Sequence, residues 1–324
     1  MNIKRLIIIA DGNLTIGAGH LSRCLTIGRA AKKRGIDPLF ILSDKVSLEY
    51  LQRLSEGVKY TYRIVSRDDF LKEILRGAKA DFAKNPGVSK EESLREVIGR
   101  AEEAAVLVDS YEVSGDFFEK LLSAGFQRVS RIDDLHEEAY PGVLIIDYDK
   151  DLSLAPIREG FAEFPFEVRE SGKRILFSSG SGDPMGLFEQ LLRISKERYP
   201  EVELQVLRGI APSEMPKFIA GFDVGIFAAG GSLYEAAALG LPLLSFSFVE
   251  NQVAGGKAME QAGIRYLGDC REDREAAGPV DEFLERALRE AVKLLEDLEE
   301  RKRISLHEKT LIDGKGTERI LGLL

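Results

Sequence analysis

Short apolar runs alternate with amphipathic stretches along the chain, and this alternation constrains the fold more than any other feature. Strands that alternate with helices form right-handed crossovers and a parallel, doubly wound sheet. Gly35 and Gly125 stand where helices would end on a left-handed residue. In the first half we predict strands at Arg5–Ala10, Leu39–Leu42, Val106–Val108, Val129–Ile132 and Val143–Ile146, and helices at His20–Arg34, Lys90–Ala104 and Gly115–Ala124.

A second series of the same kind follows the segment Asp151–Lys173, which carries Pro156, Pro165 and a phenylalanine cluster without a clear period. We interpret that segment as a connection between domains. The charged tail predicts one long helix over Asp281–Arg303. The other second-half predictions are strands at Arg174–Ser178, Val202–Val206, Val224–Ala228, Leu243–Phe248 and Arg265–Leu267, and helices at Met185–Lys196, Ser213–Ala220, Ser232–Leu239 and Gln252–Ala262.

The length of 324 residues exceeds the size at which a single hydrophobic core stops growing, so two α/β domains are expected. We place an N-terminal domain at 1–155, a linker at 156–172, a second domain at 173–303 and a C-terminal helix at 304–324. Two tandem sheets fit this pattern better than one large sheet.

The net charge of −9 argues against nucleic acid as a partner, because an acidic protein gains no affinity from counterion release. The apolar run Leu6–Ala10 is too short for a signal-peptide core, and no run approaches membrane-spanning length. Cys24 and Cys270 match neither a disulfide framework nor a zinc spacing. We therefore expect a cytoplasmic protein with reduced thiols, no cofactor and no membrane insertion. The oligomeric state is left open.

The loop after the first predicted strand runs from Asp11 to His20 and lies where α/β sheets bind ligands. Gly17 and Gly19 would let a ligand approach the backbone, although the loop is neither a dinucleotide fingerprint nor a Walker loop. His20 would open a helix, where the dipole disfavours imidazolium, so it could act as a neutral general base. The alternative is a capping or packing histidine.

Acidic residues follow other strands of the first half. Asp109 and Tyr111 could face a ligand cleft or simply form a turn. Asp147-Tyr148-Asp149 has the Asp-x-Asp spacing of metal-dependent glycosyltransferases, but two acids in three residues are frequent. We favour solvation of a strand end over a metal site.

Three strand-to-helix loops of the second half carry small or neutral polar residues. Gly230 and Gly231 would expose backbone N–H groups to a phosphate. Glu235 lies three residues after Ser232, which fits a capping box as well as a carboxylate on a ribose diol. The nucleotide-binding candidates are Gly180, Ser181, Asp183, Gly230, Gly231, Ser232, Glu235, Asn251 and Gln252.

These motifs resemble, in order and nearly end to end, the pseudaminic-acid-pathway UDP-sugar hydrolases and the related spore-coat polysaccharide proteins. The discriminating stretch is Gly17-Ala18-Gly19-His20 with Arg23-Cys24-Leu25. The resemblance continues through Val108–Tyr111, Ile132–Asp134, Gly182–Pro184, Gly230–Glu235, Gly240–Pro242, Asn251-Gln252 and Ile312–Gly316. The second half is also similar to the lipid-linked peptidoglycan glycosyltransferase family.

The resemblance implies a GT-B architecture, in which two Rossmann-like domains face each other across a cleft and the C-terminal helix returns to the first domain. It implies UDP on the second domain and the sugar on the first, near Asp11, Gly17, Gly19, Arg23, Asp109 and Tyr111. Water would attack the anomeric carbon of a UDP-linked 2,4-diacetamido-2,4,6-trideoxy hexose without a metal and with inversion, His20 acting as the base.

Two positions depart from that family's pattern. Ile9 replaces an arginine, and Asp147-Tyr148-Asp149 replaces an amide-rich stretch. Both departures fall in the sugar-facing half and bear on the identity of the sugar. A glycosyltransferase with a UDP-sugar donor, and a nucleotide-binding protein without turnover, are the alternatives to the hydrolase.

Overall fold

The computed structural model describes residues 3–12, 17–76, 94–134, 139–180, 182–183, 185–271 and 280–324. The chain divides into two compact units. The first unit comprises Met1–Ile146 together with Ile320–Leu324, and the second comprises Asp147–Arg319. The segment 156–172 belongs to the second unit, and the four-part division into domains stays a prediction.

The first unit is built on a six-stranded sheet in the order β3-β2-β1-β4-β5-β6, and all neighbouring strands are parallel. This is the Rossmann order, which reverses between β1 and β4. The strands are β1 Arg5–Ala10, β2 Asp37–Leu42, β3 Thr61–Ile64, β4 Ala104–Asp109, β5 Arg128–Ile132 and β6 Val143–Ile146. The helices are α1 Gly19–Lys33, α2 Lys45–Leu54, α3 Arg67–Arg76, α4 Leu94–Ile98 and α5 Gly115–Ser123, with a 3₁₀ turn at Ala101–Glu103.

The second unit is built on a five-stranded parallel sheet in the order β11-β10-β9-β7-β8. It is doubly wound like the first sheet and reverses between β7 and β9. Its strands are β7 Arg174–Ser178, β8 Glu203–Val206, β9 Val224–Ala228, β10 Leu243–Ser247 and β11 Arg265–Asp269. Its helices are α6 Leu187–Arg198, α7 Met215–Ile219, α8 Gly231–Leu239, α9 Asn251–Gln261, α10 Val280–Glu296, α11 Leu298–Leu311 and α12 Gly316–Leu323, with 3₁₀ turns at Leu152–Leu154 and Pro212–Glu214; the last residues of α12 belong to the first unit.

Each sheet carries its own apolar core, as parallel strands with helices on their faces require. In the first unit Ile7, Ile9, Val106 and Val108 are fully buried in one such cluster. In the second unit Ile175, Phe177, Val224 and Leu244 hold the same position. Among the described helices, none is both long and apolar enough to cross a membrane.

The helix predicted over Lys90–Ala104 is wrong in its described part. The α-helix there covers only Leu94–Ile98, and Gly99 follows with a φ of 76°. Residues 101–103 form a 3₁₀ turn, and Ala104 already begins β4. Residues 90–93 lie outside the described residues. The left-handed glycine ends the helix, so the apolar period that continues past it belongs to different elements.

The single tail helix predicted over Asp281–Arg303 is also wrong, because the chain breaks between α10 and α11. Asp297 has an extended-type φ and ψ of −102° and 91°, and its carboxylate accepts a hydrogen bond from the N–H of Glu300. An aspartate in that conformation caps a new helix instead of continuing the old one. By contrast, Gly35 and Gly125 end α1 and α5 at φ values of 77° and 94°, as predicted.

Candidate functional site

The carboxyl ends of the strands that flank a reversal of strand order are the usual ligand-binding edge of a doubly wound sheet. In the first unit these are the ends of β1 and β4, which lead to Asp11 and to Ser110. In the second unit they are the ends of β7 and β9, which lead to Ser179 and to Ala229. The two edges carry different side chains and are described separately.

His20 occupies the second position of α1, after Ala18 as the N-cap, and is 3% exposed. Its Nδ1 has no hydrogen-bond partner among the described residues and lies 3.9 Å from Oδ1 of Asp109. Tyr111 packs edge-on against the imidazole, with ring centroids 4.5 Å apart. Burial lowers the pKa of His20, and the Arg23 charge acts in the same direction, against the raising effect of Asp109. The imidazole is therefore neutral at pH 7 and does not cap the helix.

Arg23 lies one helical turn after His20 and links two strand ends. Its Nε and Nη2 donate to the two carboxylate oxygens of Asp109, at 2.7 and 2.6 Å, and its Nη1 donates to Asp134 at 3.0 Å. The Tyr111 hydroxyl also donates to Asp134, at 3.1 Å, and the Cys24 thiol donates to Asp109 at 3.4 Å. Burial opposes ionisation of Asp109, but the charge and hydrogen bonds of Arg23, together with His20 and the Cys24 thiol, outweigh it and lower the pKa of that carboxyl.

Asp11 is held by three side chains from elsewhere in the first unit. Ser43 and Ser110 donate hydroxyl hydrogen bonds to it at 2.6 and 2.9 Å, and Arg67 forms a buried ion pair with it. Burial raises the pKa of Asp11, but Arg67 and the hydroxyl donors outweigh this and the net shift is downward. Both oxygens thus have protein partners, and substrate binding by Asp11 stays a prediction. Sequence reasoning missed Ser43 and Arg67, because long-range pairs leave no local pattern.

The glycines of the first-unit loop differ in their surroundings. Gly17 has a φ of 71°, in the left-handed region that favours glycine. A Cβ at Gly19 would meet no described atom within 4 Å, whereas a Cβ at Gly12 would lie 2.6 Å from Leu21. The open space at Gly19 is consistent with a ligand approaching the start of α1. Gly12 is required by packing, which no local pattern in the sequence indicates.

In the second unit the loop after β7 ends on Asp183. Its carboxylate accepts the N–H groups of Leu187 and Phe188, at 2.8 and 3.0 Å, and so caps α6. Gly180 has a φ of 83°, and a Cβ there would meet no described atom within 4 Å. Ser181, predicted to bind nucleotide, lies outside the described residues. The capping role explains why an aspartate stands at 183, and nucleotide binding by it stays a prediction.

The loop after β9 leads directly into α8. Gly230 is the N-cap in an extended conformation, and a Cβ placed on either Gly230 or Gly231 would meet no described atom within 4 Å. The Ser232 hydroxyl lies 3.4 Å from the Ser178 hydroxyl, so α8 begins beside the end of β7. The Cα atoms of Gly230 and Gly231 therefore border unfilled space at the start of a helix, where anions commonly bind.

The capping-box interpretation of Ser232 and Glu235 is wrong, since Gly230 is the cap and no side chain caps α8. Glu235 instead accepts two hydrogen bonds from Arg158, from Nε and Nη2, each at 2.5 Å. Arg158 also packs against the ring of Phe161. The carboxylate is thus held by a charge from the preceding segment, a partner that the sequence did not indicate. Binding of a ribose by Glu235 stays a prediction.

Asn251 is the first residue of α9 and is exposed, whereas the Gln252 side chain accepts the N–H of Phe248 at 3.2 Å. Asp149 accepts the Tyr234 hydroxyl at 2.5 Å, and Asp147 accepts two backbone N–H groups of its own turn. The Asp-x-Asp spacing is accounted for by these contacts. No group of three metal-ligating side chains occurs in the part of the chain that the structure describes.

The sequence matches no protein-family model and no curated protein. Solved structures do match the fold over nearly the whole chain. The Arabidopsis thaliana UGT89C1 structure complexed with UDP matches with a TM-score of 0.60 at 13% identity, covering 99% of both chains. Acinetobacter baumannii MurG matches with a TM-score of 0.57 at 13% identity, again covering 99% of both chains. A putative UDP-N-acetylglucosamine 2-epimerase from Listeria monocytogenes matches with a TM-score of 0.55 at 13% identity, covering 98% of this chain and 95% of that one.

Together with the two parallel sheets, these similarities assign the chain to the GT-B fold class, as predicted. At 13% identity they concern the fold alone. The similarity does not extend to a particular family of hydrolases, and what the chain does has to be argued from its own residues.

Proposed function

We propose that this chain is an enzyme that acts on a nucleoside-diphosphate sugar and transfers the sugar to an acceptor hydroxyl group. The observation that carries the proposal is His20, a buried and neutral imidazole at the ligand-binding edge of the first sheet, with one ring nitrogen unpartnered in the described structure. A neutral imidazole at pH 7 can accept a proton, which is what attack by a hydroxyl group requires.

The second unit supplies the complementary chemistry. At the start of α8, a Cβ on Gly230 or Gly231 would meet no described atom within 4 Å, and accessible helix starts bind phosphate. A diphosphate leaving group gains negative charge as its bond to the sugar breaks, and backbone donors would stabilise that charge without a metal. Among the similar structures, UGT89C1 is complexed with UDP or UDP-L-rhamnose, and the rhamnosyltransferase SpnG with thymidine diphosphate. These ligands support a nucleotide-sugar donor.

In the proposed reaction the acceptor oxygen attacks the anomeric carbon while His20 removes its proton. The bond from the anomeric carbon to the diphosphate oxygen breaks, and the nucleoside diphosphate leaves with the electron pair. A single displacement of this kind inverts the anomeric centre. Asp109 lies on the Nδ1 side of His20, where a carboxylate can stabilise the imidazolium that results.

Hydrolysis is the second candidate, with water in place of the acceptor hydroxyl and a UDP-linked 2,4-diacetamido-2,4,6-trideoxy hexose as substrate. It is favoured by the stretch from Gly17 to Cys24, in which Arg23 and Cys24 both contact Asp109 behind His20. That stretch carries the resemblance to the sugar-nucleotide hydrolases. The proton acceptor and the leaving group are the same in both reactions, so the two candidates differ only in the nucleophile.

Phosphorus NMR of the purified protein with a panel of UDP-sugars and a chelator tests the proposal. UDP that forms only after simple hydroxyl acceptors are added supports transfer, and UDP that forms without them supports hydrolysis. Release of UMP would mean that the pyrophosphate is cut, and the mechanism would then be wrong. His20→Asn should abolish turnover and leave UDP binding intact. His307→Asn is the matched control, since His307 contacts the Ala262 carbonyl in the second unit.

A further inference from the structure

Asp109 is the carboxylate nearest to His20, yet its hydrogen bonds are with Arg23 and the Cys24 thiol. The guanidinium contacts both oxygens at 2.6 and 2.7 Å, while Nδ1 of His20 stays at 3.9 Å, beyond hydrogen-bond distance. Asp109 is 1% exposed, so water does not compete for it. A planar two-point contact between arginine and carboxylate fixes the direction as well as the charge of the acid.

The carboxylates around His20 differ in how many cations pair with them. Asp11 faces it from the end of β1 and is paired with Arg67. Asp109 from the end of β4 and Asp134 from the end of β5 share one cation among the described residues, Arg23 of α1. The Cys24 thiol also faces Asp109 and is kept protonated, because burial raises its pKa. Without Arg23, the buried Asp109 and the partly exposed Asp134 would attract a proton onto the imidazole.

All three nitrogens of the Arg23 guanidinium donate to Asp109 or Asp134, and the side chain is 12% exposed. The two carboxylates therefore set the orientation of the guanidinium. These contacts place the Arg23 charge on Asp109, the carboxylate that lies 3.9 Å from Nδ1 of His20.

We propose that Arg23 is a positioning residue that acts through Asp109 and His20. Its two-point contact holds the Asp109 carboxylate short of the Nδ1 atom, so that His20 stays unprotonated until the acceptor delivers its proton. The inference rests on the proposed function, because it assigns His20 the role of base. Tyr111 supports the same arrangement, since its ring packs against His20 while its hydroxyl binds Asp134.

The titration of His20, followed by NMR on protein with ¹³C-labelled histidine, tests this inference. The chain has three histidines, and His20→Gln identifies the signal by its loss. In Arg23→Gln the His20 midpoint should rise by about one pH unit or more, the usual effect of an unmatched carboxylate nearby. Arg23→Gln combined with Asp109→Asn should return it towards the wild-type value. A midpoint unchanged in Arg23→Gln would overturn the inference.

Arg29→Gln is the matched control, because it removes a cation from the same helix at a residue that contacts Leu54 and Glu56 instead. It should leave the His20 midpoint in place. If Arg23→Gln does not fold, Arg23→Lys keeps the charge and loses the two-point contact. The lysine variant should then titrate near the wild-type midpoint with a reduced kcat, and a wild-type kcat would contradict the positioning role.

The titration needs no substrate, so the inference and the proposed function can fail separately. Turnover of a nucleotide sugar with an unmoved midpoint in Arg23→Gln would reject the inference alone. A raised midpoint with no turnover of any sugar nucleotide would reject the proposed function, and Arg23 would then remain only an electrostatic neighbour of His20. The dependence of kcat/KM on pH gives a second readout. In Arg23→Gln the pKa of its acid limb should rise to match the His20 midpoint measured by NMR.

Discussion

The ligand-binding edges of the two units are built in opposite ways. In the first unit, Asp11 and Asp109 are buried carboxylates, and each is matched by an arginine. In the second unit, the edge at Gly230 and Gly231 is backbone that faces open space. The proposed reaction accounts for this difference. Under that proposal, controlling one proton on His20 requires fixed charges nearby, whereas holding a diphosphate requires N–H groups that a side chain would cover.

Buried acids away from the edges extend the contrast. The pKa values of Asp11 and Asp109 are lowered by arginine despite burial, whereas burial raises the pKa of Glu308 in α11 well above its usual value. Lowered values give stability that is lost as pH falls through the folded pKa, and a raised value gives stability that is lost as pH rises through it. These buried acids therefore contribute pH dependences of opposite sign.

Removing Arg67 should have the largest effect. Arg67→Leu leaves the buried Asp11 carboxylate with only hydroxyl and N–H donors, and breaking a buried pair on one side costs about 3–5 kcal/mol. Urea unfolding at pH 7 measures the change. Lys4→Met is the control, because the Lys4–Glu103 pair is exposed and such pairs contribute about 0–1 kcal/mol. An equal loss of unfolding free energy in the two variants would show that the buried Arg67–Asp11 pair does not stabilise the first unit more than an exposed pair.

Replacing Glu308 should sharpen the pH contrast. One carboxyl oxygen accepts the Leu243 N–H at 3.1 Å, and the other has no hydrogen-bond partner among the described residues. Above its usual pKa of 4.5, ionisation on unfolding increasingly favours the unfolded chain. Glu308→Gln should therefore gain stability over the wild type as pH rises above 4.5, by about 1.4 kcal/mol for each pH unit until the folded-state pKa is reached.

The measurement for Glu308→Gln is urea unfolding at several pH values from 4 upwards. The gain should vanish near and below pH 4.5, where the wild-type carboxyl is protonated in both states. Glu300→Gln is the control in the same helix, since Glu300 is solvent-accessible and pairs with Arg303. A gain for Glu308→Gln that is constant with pH would mean that charge on Glu308 is not its cause.

A side chain added at the start of α8 should change UDP binding without changing the stability of the fold. A Cβ at Gly231 meets no described atom within 4 Å, and valine is no worse than glycine in a helix. Gly231→Val should thus keep the thermal midpoint and weaken UDP binding about tenfold, or about 1.4 kcal/mol, in calorimetry. Gly240→Ala should behave in reverse, because Gly240 has a φ of 90° and a Cβ there lies 2.8 Å from Lys309. Unchanged UDP affinity in Gly231→Val would remove α8 from the nucleotide site.

The parallel sheets were predictable because most of their strands stand out as apolar runs, and the central strands are buried on both faces. β1, β6, β7 and β9 have the predicted limits. β3 was missed, since this edge strand carries mostly exposed side chains. Helices α2 and α3 were not predicted either. Two further errors lie where a local signal interrupts a continuing apolar period. Gly99 and Asp297 are single residues that end or restart a helix, and their effect depends on backbone angles that the period does not contain.

The candidate site was predictable in place more than in detail. His20 and Gly230 follow from the rule that loops after parallel strands form the ligand-binding edge. That rule does not reveal the distant arginines that pair with the acids of these edges. Arg67 lies 56 residues from Asp11, and Arg158 lies 77 residues from Glu235. Such pairs form only when the sheet brings distant loops together, so the acids could be picked out from the sequence while their cations stayed unassigned.

The smallest expected effect concerns Tyr111. Tyr111→Phe removes the hydroxyl that donates to Asp134 at 3.1 Å and keeps the ring that packs against His20. A hydrogen bond of this kind contributes about 1 kcal/mol, so kcat should fall about fivefold with UDP affinity unchanged. Tyr140→Phe removes a hydroxyl that contacts Arg131 in the same unit and should leave kcat as it is. A loss of UDP affinity in Tyr111→Phe would contradict the proposed separation of roles, with proton transfer in the first unit and nucleotide binding in the second. A residue next to the base would then also affect the nucleotide.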